Sequence, residues 1–210
     1  MIRRLAALAL ALAALRAPSA RAAEGLGLTL QVWGGASRYD VDGLQAGLAR
    51  PGKDLLQASA RTYGASALLR LGGLDLGVLY EGRLIRERTD AAVLTPLLGL
   101  AVPLGEVVRL DLLGELGGHR VSGVQFDGAV DVSQATAVWL PYVGARPTLS
   151  LRFPLGPLHA VASVAAFARW DLIKRDVTLI VTESGTTAQP YPYRLGGTTF
   201  GVAVGAGLEL

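Results

Sequence analysis

The chain has 210 residues, enough for one domain, with 20 Lys and Arg against 17 Asp and Glu and a formal net charge of +3. It holds no Cys, which excludes disulfides and Cys-type metal sites. Beyond its N-terminal segment no continuous apolar run approaches the ~18 residues of a transmembrane helix, so a helical membrane protein is excluded. Yet 51% of the residues are hydrophobic and all 27 Gly lie beyond that segment, so a large apolar surface must be built by other means.

The first residues are read as a cleaved signal peptide, 1–23. Met1-Ile2-Arg3-Arg4 is a basic n-region, residues 5–15 are an unbroken Leu/Ala run, and Ala20-Arg21-Ala22 fits a small-residue cleavage site. Four of the 20 basic residues (Arg3, Arg4, Arg16, Arg21) belong to it, leaving 16 basic against 17 acidic residues in 24–210. The apparent pI of 9.5 is therefore partly a targeting signal and gives no ground for nucleic-acid binding.

Period-two alternation then predicts eight strands in order. Residues 25–32 place Leu26, Leu28, Leu30 and Val32 on one face, with Trp33 out of phase, so that a bulge near Gly34-Gly35 or an inward Trp is expected. In residues 63–71, Tyr63, Ala65, Ala67, Leu69 and Leu71 oppose Thr62, Gly64, Ser66 and Arg70. In residues 74–83, Leu74, Leu76, Val78 and Tyr80 oppose Asp75, Gly77, Glu81 and Arg83. A less regular strand covers about 93–103. The next, 108–119, sets Val108, Leu110, Leu112 and Leu116 against Arg109, Asp111, Glu115 and His119. Residues 139–153 alternate clearly, with Val143, Ala145, Leu149, Leu151 and Phe153 against Tyr142, Gly144, Arg146, Thr148, Ser150 and Arg152. Residues 158–170 carry His159, Ser163 and Arg169 on the polar side, and 199–210 alternate to the last residue, ending in Glu209 and Leu210.

Each strand has the length a tilted strand needs to cross hydrocarbon. Short turns at Gly72-Gly73, 105–107 and 154–157 alternate with longer connections at about 37–60, 86–92, 120–138 and 171–198. An even strand number with short turns on one side and long loops on the other is the layout of a closed antiparallel up-and-down transmembrane β-barrel. Tyr63, Tyr80, Trp139, Trp170 and Phe200 all fall on the apolar face, and all but Tyr80 lie near the long-loop end, as an interfacial aromatic girdle does. A soluble β-sandwich or lipocalin-like barrel would turn the apolar face inward. It would then pack a core from many Ala and Leu with few large aromatics.

The mature chain, 24–210, resembles the OmpA/OmpX-type eight-stranded outer-membrane barrels. The most specific piece is the C-terminal strand, where Gly205, Leu208 and Leu210 match the spacing of that class's terminal assembly signal. The final residue is Leu rather than Phe, and Ala203 stands where a polar residue is common. The resemblance implies a monomeric integral outer-membrane protein of a Gram-negative envelope, inserted by the barrel-assembly machinery through its last strand and surrounded by outer-membrane lipid and lipopolysaccharide.

A barrel of eight strands has an interior just wide enough for side chains, so inward charges must be paired. Arg70, Asp75, Glu81, Arg83, Arg109, Asp111, Glu115, Arg146, Arg152, Arg169 and Glu209 are expected there as a network in two layers. A two-residue Gly72-Gly73 turn sets Arg70 opposite Asp75, the Gly105 turn sets Asp111 opposite Ala101, and a 154–157 turn sets Arg152 opposite His159. The network reads as a plugged structural core rather than a gated narrow pore. The third reading, a lipid A-modifying hydrolase, would need His, Ser and a carboxylate on the outer face. The sequence offers His119 and Ser122 with Glu115, at His-Arg-Val-Ser rather than His-x-Ser spacing, and with His119 phased inward. No enzyme, cofactor or metal site is expected. Residues 177–182 read as an extension of the seventh strand above the membrane, and Pro190-Tyr191-Pro192-Tyr193 as an exposed aromatic contact for an extracellular ligand.

Overall fold

A computed structural model describes residues 26–39, 59–85, 88–121, 130–134, 138–183 and 189–210. Eleven strands form: β1 (Leu26–Tyr39), β2 (Ser59–Leu71), β3 (Leu74–Ile85), β4 (Arg88–Pro103), β5 (Val108–Val121), β6 (Val130–Gln134), β7 (Val138–Leu155), β8 (Leu158–Asp171), β9 (Arg175–Glu183), β10 (Gln189–Leu195) and β11 (Thr198–Glu209). Eight of them close a barrel in the order β1-β11-β8-β7-β5-β4-β3-β2, with every neighbouring pair antiparallel. The fold is therefore the all-β, eight-stranded up-and-down barrel that the resemblance implied. The signal segment 1–23 lies outside the described residues.

Closure gives every barrel strand two neighbours, so none is an edge strand. The end strands β1 and β11 meet through Thr29 opposite Glu209, and the Leu28 and Leu210 backbones exchange both hydrogen bonds beyond that pair. Two hairpins at the short-turn end have Gly at the first of two loop positions, Gly72 and Gly156, each with φ of 63°. That left-handed value suits the primed turns that match strand twist, and a side chain there is strained. At the other end lies a second sheet of three strands, β10-β9-β6.

Four sequence expectations need correction. The turn after β7 is two residues long, since Leu155 pairs with Leu158. Arg152 thus stands opposite Val161, while His159 stands opposite Pro154 and Glu209. Proline tolerates this because it sits where no ladder donor is needed. The connection expected at 86–92 is mostly strand: β3 and β4 pair as far as Ile85 with Arg88, past a register shift between Arg83 and Leu84. Residues 177–182 belong to β9, separated from β8 by residues 172–174 and paired in its own sheet rather than prolonging the barrel wall. The stretch Pro190-Tyr191-Pro192-Tyr193 is strand β10 rather than loop. Trp33 is inward without a bulge, for the register of β1 is continuous against both neighbours.

One seam in the wall is thinner. β4 and β5 pair only from Leu97 with Glu115 down to Pro103 with Arg109. The ladder stops beside Pro96, which has no N–H to donate. Just above, the hydroxyls of Thr95 and Tyr142 meet at 2.5 Å and join β4 to β7 inside the barrel.

Candidate functional site: a charged lumen

Alternation along each strand partitions the side chains. On the outward positions the large apolar groups are exposed, among them Leu26 at 73%, Val204 at 63% and Leu116 at 63%. The girdle residues Tyr63, Tyr80, Trp139, Trp170 and Phe200 are on this outer face too. Among the barrel residues whose side chains are described, the outward positions carry three charges, Arg38, Arg61 and Arg120, all at the long-loop end. The inward positions show the opposite chemistry. Arg70, Asp75, Glu81, Arg83, Arg109, Asp111, Glu115, Arg146, Arg152, Arg169 and Glu209 all face the lumen, and most are nearly inaccessible. A soluble protein with this arrangement would expose its oil and bury its ions, against both transfer terms.

The charges gather at two heights. Near the short turns, Arg70 meets Asp75 at 3.0 Å, Asp111 at 3.6 Å and Glu209 at 3.4 Å. Arg109 donates to Asp111 at 2.7 Å and to Glu209 at 2.5 Å, and Arg152 reaches Glu209 at 2.7 Å. Thr29 and Ser150 add hydroxyl donors to Glu209 and Asp111. Three cations and three carboxylates balance in this lower cluster.

The upper cluster is centred on Glu81 and Glu115. Arg169 donates to Glu81 through both terminal nitrogens and to Glu115 through Nε; Arg146 donates to Glu115 at 2.7 Å and to Glu81 at 3.1 Å; Arg83 lies 3.6 Å from Glu81. These bidentate, charge-assisted contacts are the strong kind. In the strand order β8 and β3 are four places apart, so Arg169 and Glu81 connect opposite walls. Above them His119 is fully buried in the lumen, stacked on Tyr142 at 5.7 Å and 3.5 Å from Asp171. It does not face the outer surface that a lipid-modifying triad would require, and Ser122 lies outside the described residues.

Between the clusters lies a layer that sequence reasoning missed. Trp33, Leu68, Leu79, Leu97, Leu113, Ala165, Phe167 and Ala203 form one buried apolar group inside the barrel. Leu79 falls between Asp75 and Glu81 on β3, and Leu113 between Asp111 and Glu115 on β5. The doublets Leu68-Leu69, Leu97-Leu98 and Leu112-Leu113 interrupt the alternation and were the available signal: both faces are apolar at that height. Two residues on β11 make room for the aromatics. Gly205 stands across from Trp33, where a Cβ would fall 2.5 Å from the indole, and Gly201 stands across from Phe167 and would collide with its ring. Trp33 Nε1 donates to Ser66 at 2.7 Å, which satisfies the one polar atom of the indole. The Arg146 and Arg169 guanidiniums cover Phe167 at 4.8 and 4.6 Å, linking this layer to the upper cluster.

Among the described residues no group of His, Cys, Asp and Glu is arranged to hold a metal ion. Chemically, then, the lumen is a stack of ion pairs, an apolar layer and ion pairs again, with contacts across it at both charged levels.

No family model matches the chain, and no curated protein matches it. Among solved structures it is similar to the N-terminal β-barrel domain of Pseudomonas aeruginosa OprF at 12% identity, covering 88% of this chain and 97% of that one with a TM-score of 0.47. It is also similar to Neisserial surface protein A at 11% identity, covering 89% and 99% with a TM-score of 0.46, and to the outer membrane protein OprG from Pseudomonas aeruginosa at 11% identity, covering 89% and 95% with a TM-score of 0.38.

Proposed function

We propose that the chain is an integral outer-membrane barrel with a plugged lumen and a structural or surface-interaction role exercised at its long-loop end. The observation that carries this reading is the inside-out partition: an apolar outer wall, charged only at its long-loop end among the residues with described side chains, around eleven inward charges. In water that wall is unfavourable, whereas in hydrocarbon it is the required surface. Export through residues 1–23 and insertion through the C-terminal strand belong to the same reading.

The small sheet supports the interaction role. Its β10 edge carries Pro190 and Pro192, two positions without an N–H, while β10 still pairs with β9 over seven residues. The missing donors fall on the free side and blunt that edge. The β6 edge, Val130–Gln134, has no such block and is the place where an extended partner segment would add a strand.

The test has two stages. Protein from purified outer membranes should shift in mobility between unboiled and boiled gel samples, as a detergent-resistant barrel does; a soluble periplasmic protein with no shift overturns the membrane reading. In planar bilayers the same protein should give no step conductance. Steps altered by Arg146→Ala or Glu115→Gln would replace the plugged barrel with a narrow pore.

A further inference from the structure

The outer wall is recessed where β7, β8, β11 and β1 run side by side. The small side chains of Ala145, Pro147, Ala166 and Ala168 leave a groove of about 600 Å³ there, with Phe200 and Val202 standing beside it. Leu, Val and aromatic residues fill much of the wall elsewhere, although Ala65, Ala162 and Ala206 are also outward. A recess in a lipid-facing wall has no protein partner for its lining atoms. Each of them forfeits dispersion contacts unless a lipid chain enters.

Arg38 lines this recess, and Arg61 stands next to Ala36, another of its lining residues. Arg38 stands directly across from Phe200, and Arg61 directly across from Ala36, two residues before Arg38 on the same strand. Arg38 and Arg61 are therefore diagonal neighbours on the outer face, within reach of one shared ligand. Both are exposed, and neither has an ion-pair partner among the described residues. Among the described residues of β1, β2, β7, β8 and β11, no acid occupies an outward position at this end. Two like charges side by side at a hydrocarbon boundary repel, and a planar guanidinium is matched to phosphate by its fork of donors. The site thus joins a dianion-sized positive patch to an acyl-sized apolar groove.

That combination is the chemistry of a phosphorylated lipid. We propose that the groove with Arg38 and Arg61 is a binding site for lipid A, the phosphorylated, acylated anchor of lipopolysaccharide, with a phosphate on the two guanidiniums and an acyl chain in the groove. The assignment rests on the outer-membrane reading above, which turns the long-loop end toward the lipopolysaccharide leaflet; a glycerophospholipid would be the occupant of the opposite leaflet.

The experiment uses the folded mature protein in detergent, with diphosphoryl lipid A, its fully dephosphorylated form and phosphatidylglycerol as probes, and bound lipid counted by native mass spectrometry. The diphosphoryl form should be retained on the order of ten-fold more tightly than either of the others. Arg38→Gln with Arg61→Gln should abolish that preference, and Ala166→Leu, which fills the groove, should weaken binding of the diphosphoryl form while both arginines remain. Equal retention of the three lipids by the unaltered protein, or an unchanged preference in the double variant, overturns the assignment. A heat-modifiability gel run in parallel separates the two failures. A barrel that shifts on heating but shows no preference loses only the lipid A site; a protein that never forms such a barrel loses the membrane reading as well.

Discussion

Arg169 on β8 grips Glu81 on β3 with both terminal nitrogens, at 2.6 and 2.8 Å, from the opposite wall of the barrel and 88 residues away in sequence. The same guanidinium holds Glu115 through Nε and covers the ring of Phe167 at 4.6 Å. One side chain thereby ties three strands and the apolar layer together.

Arg169→Met should therefore be among the most damaging substitutions in the chain. It leaves two buried carboxylates short of a partner, a change that typically destabilises by about 3–5 kcal/mol. Urea unfolding in detergent micelles, followed by tryptophan fluorescence, checks this. Because Glu81 is the principal partner, Arg169→Met combined with Glu81→Gln should lose less than the sum of the two single changes. Strict additivity would show that the pair is not coupled.

The apolar layer makes a different prediction. Leu79→Ala removes a fully buried side chain and leaves a cavity, for a loss of about 2–5 kcal/mol. It should not produce ion conduction, since the ion pairs above and below still cross the lumen. Step conductance in bilayers from Leu79→Ala alone would mean that the leucines, rather than the charges, form the seal.

Trp33 and Gly205 test the fit of that layer. Gly205→Val places a branched side chain against the indole, and overpacking of this kind costs about 1–3 kcal/mol. Trp33→Ala in the Gly205→Val background should be less harmful than Trp33→Ala alone, because the added side chain occupies part of the vacated space. A cycle of urea midpoints for the four proteins gives the coupling, and a value near zero would contradict the packing described.

The three tryptophans should also separate by environment. Trp139 and Trp170 are 58% and 46% exposed on the outer wall, whereas Trp33 is 9% exposed and hydrogen-bonded inside. In vesicles of brominated phosphatidylcholine, variants retaining only Trp139 or only Trp170 should be strongly quenched, and one retaining only Trp33 should not. Quenching of Trp33 to the same degree would place β1 in the opposite phase.

The amino-acid sequence by itself determined the barrel strands, their phase and most of their pairing. The reason is local: a period of two puts every second side chain on one face, and a glycine turn such as Gly72-Gly73 sets the register, so Arg70 opposite Asp75 follows from counting. It also placed the eleven charges on the inner face. Tertiary structure alone decided what those charges do. Which cation serves which carboxylate across the lumen depends on the stagger of the closed sheet, which brings Arg109 to Glu209 and Arg169 to Glu81. The length of the turn after β7 was equally ambiguous, because proline fits a strand end as well as a loop, and there the count put Arg152 beside the wrong partner. The second sheet was least legible. β6, β9 and β10 are short, come from two different connections and acquire their meaning as strands only by pairing with one another.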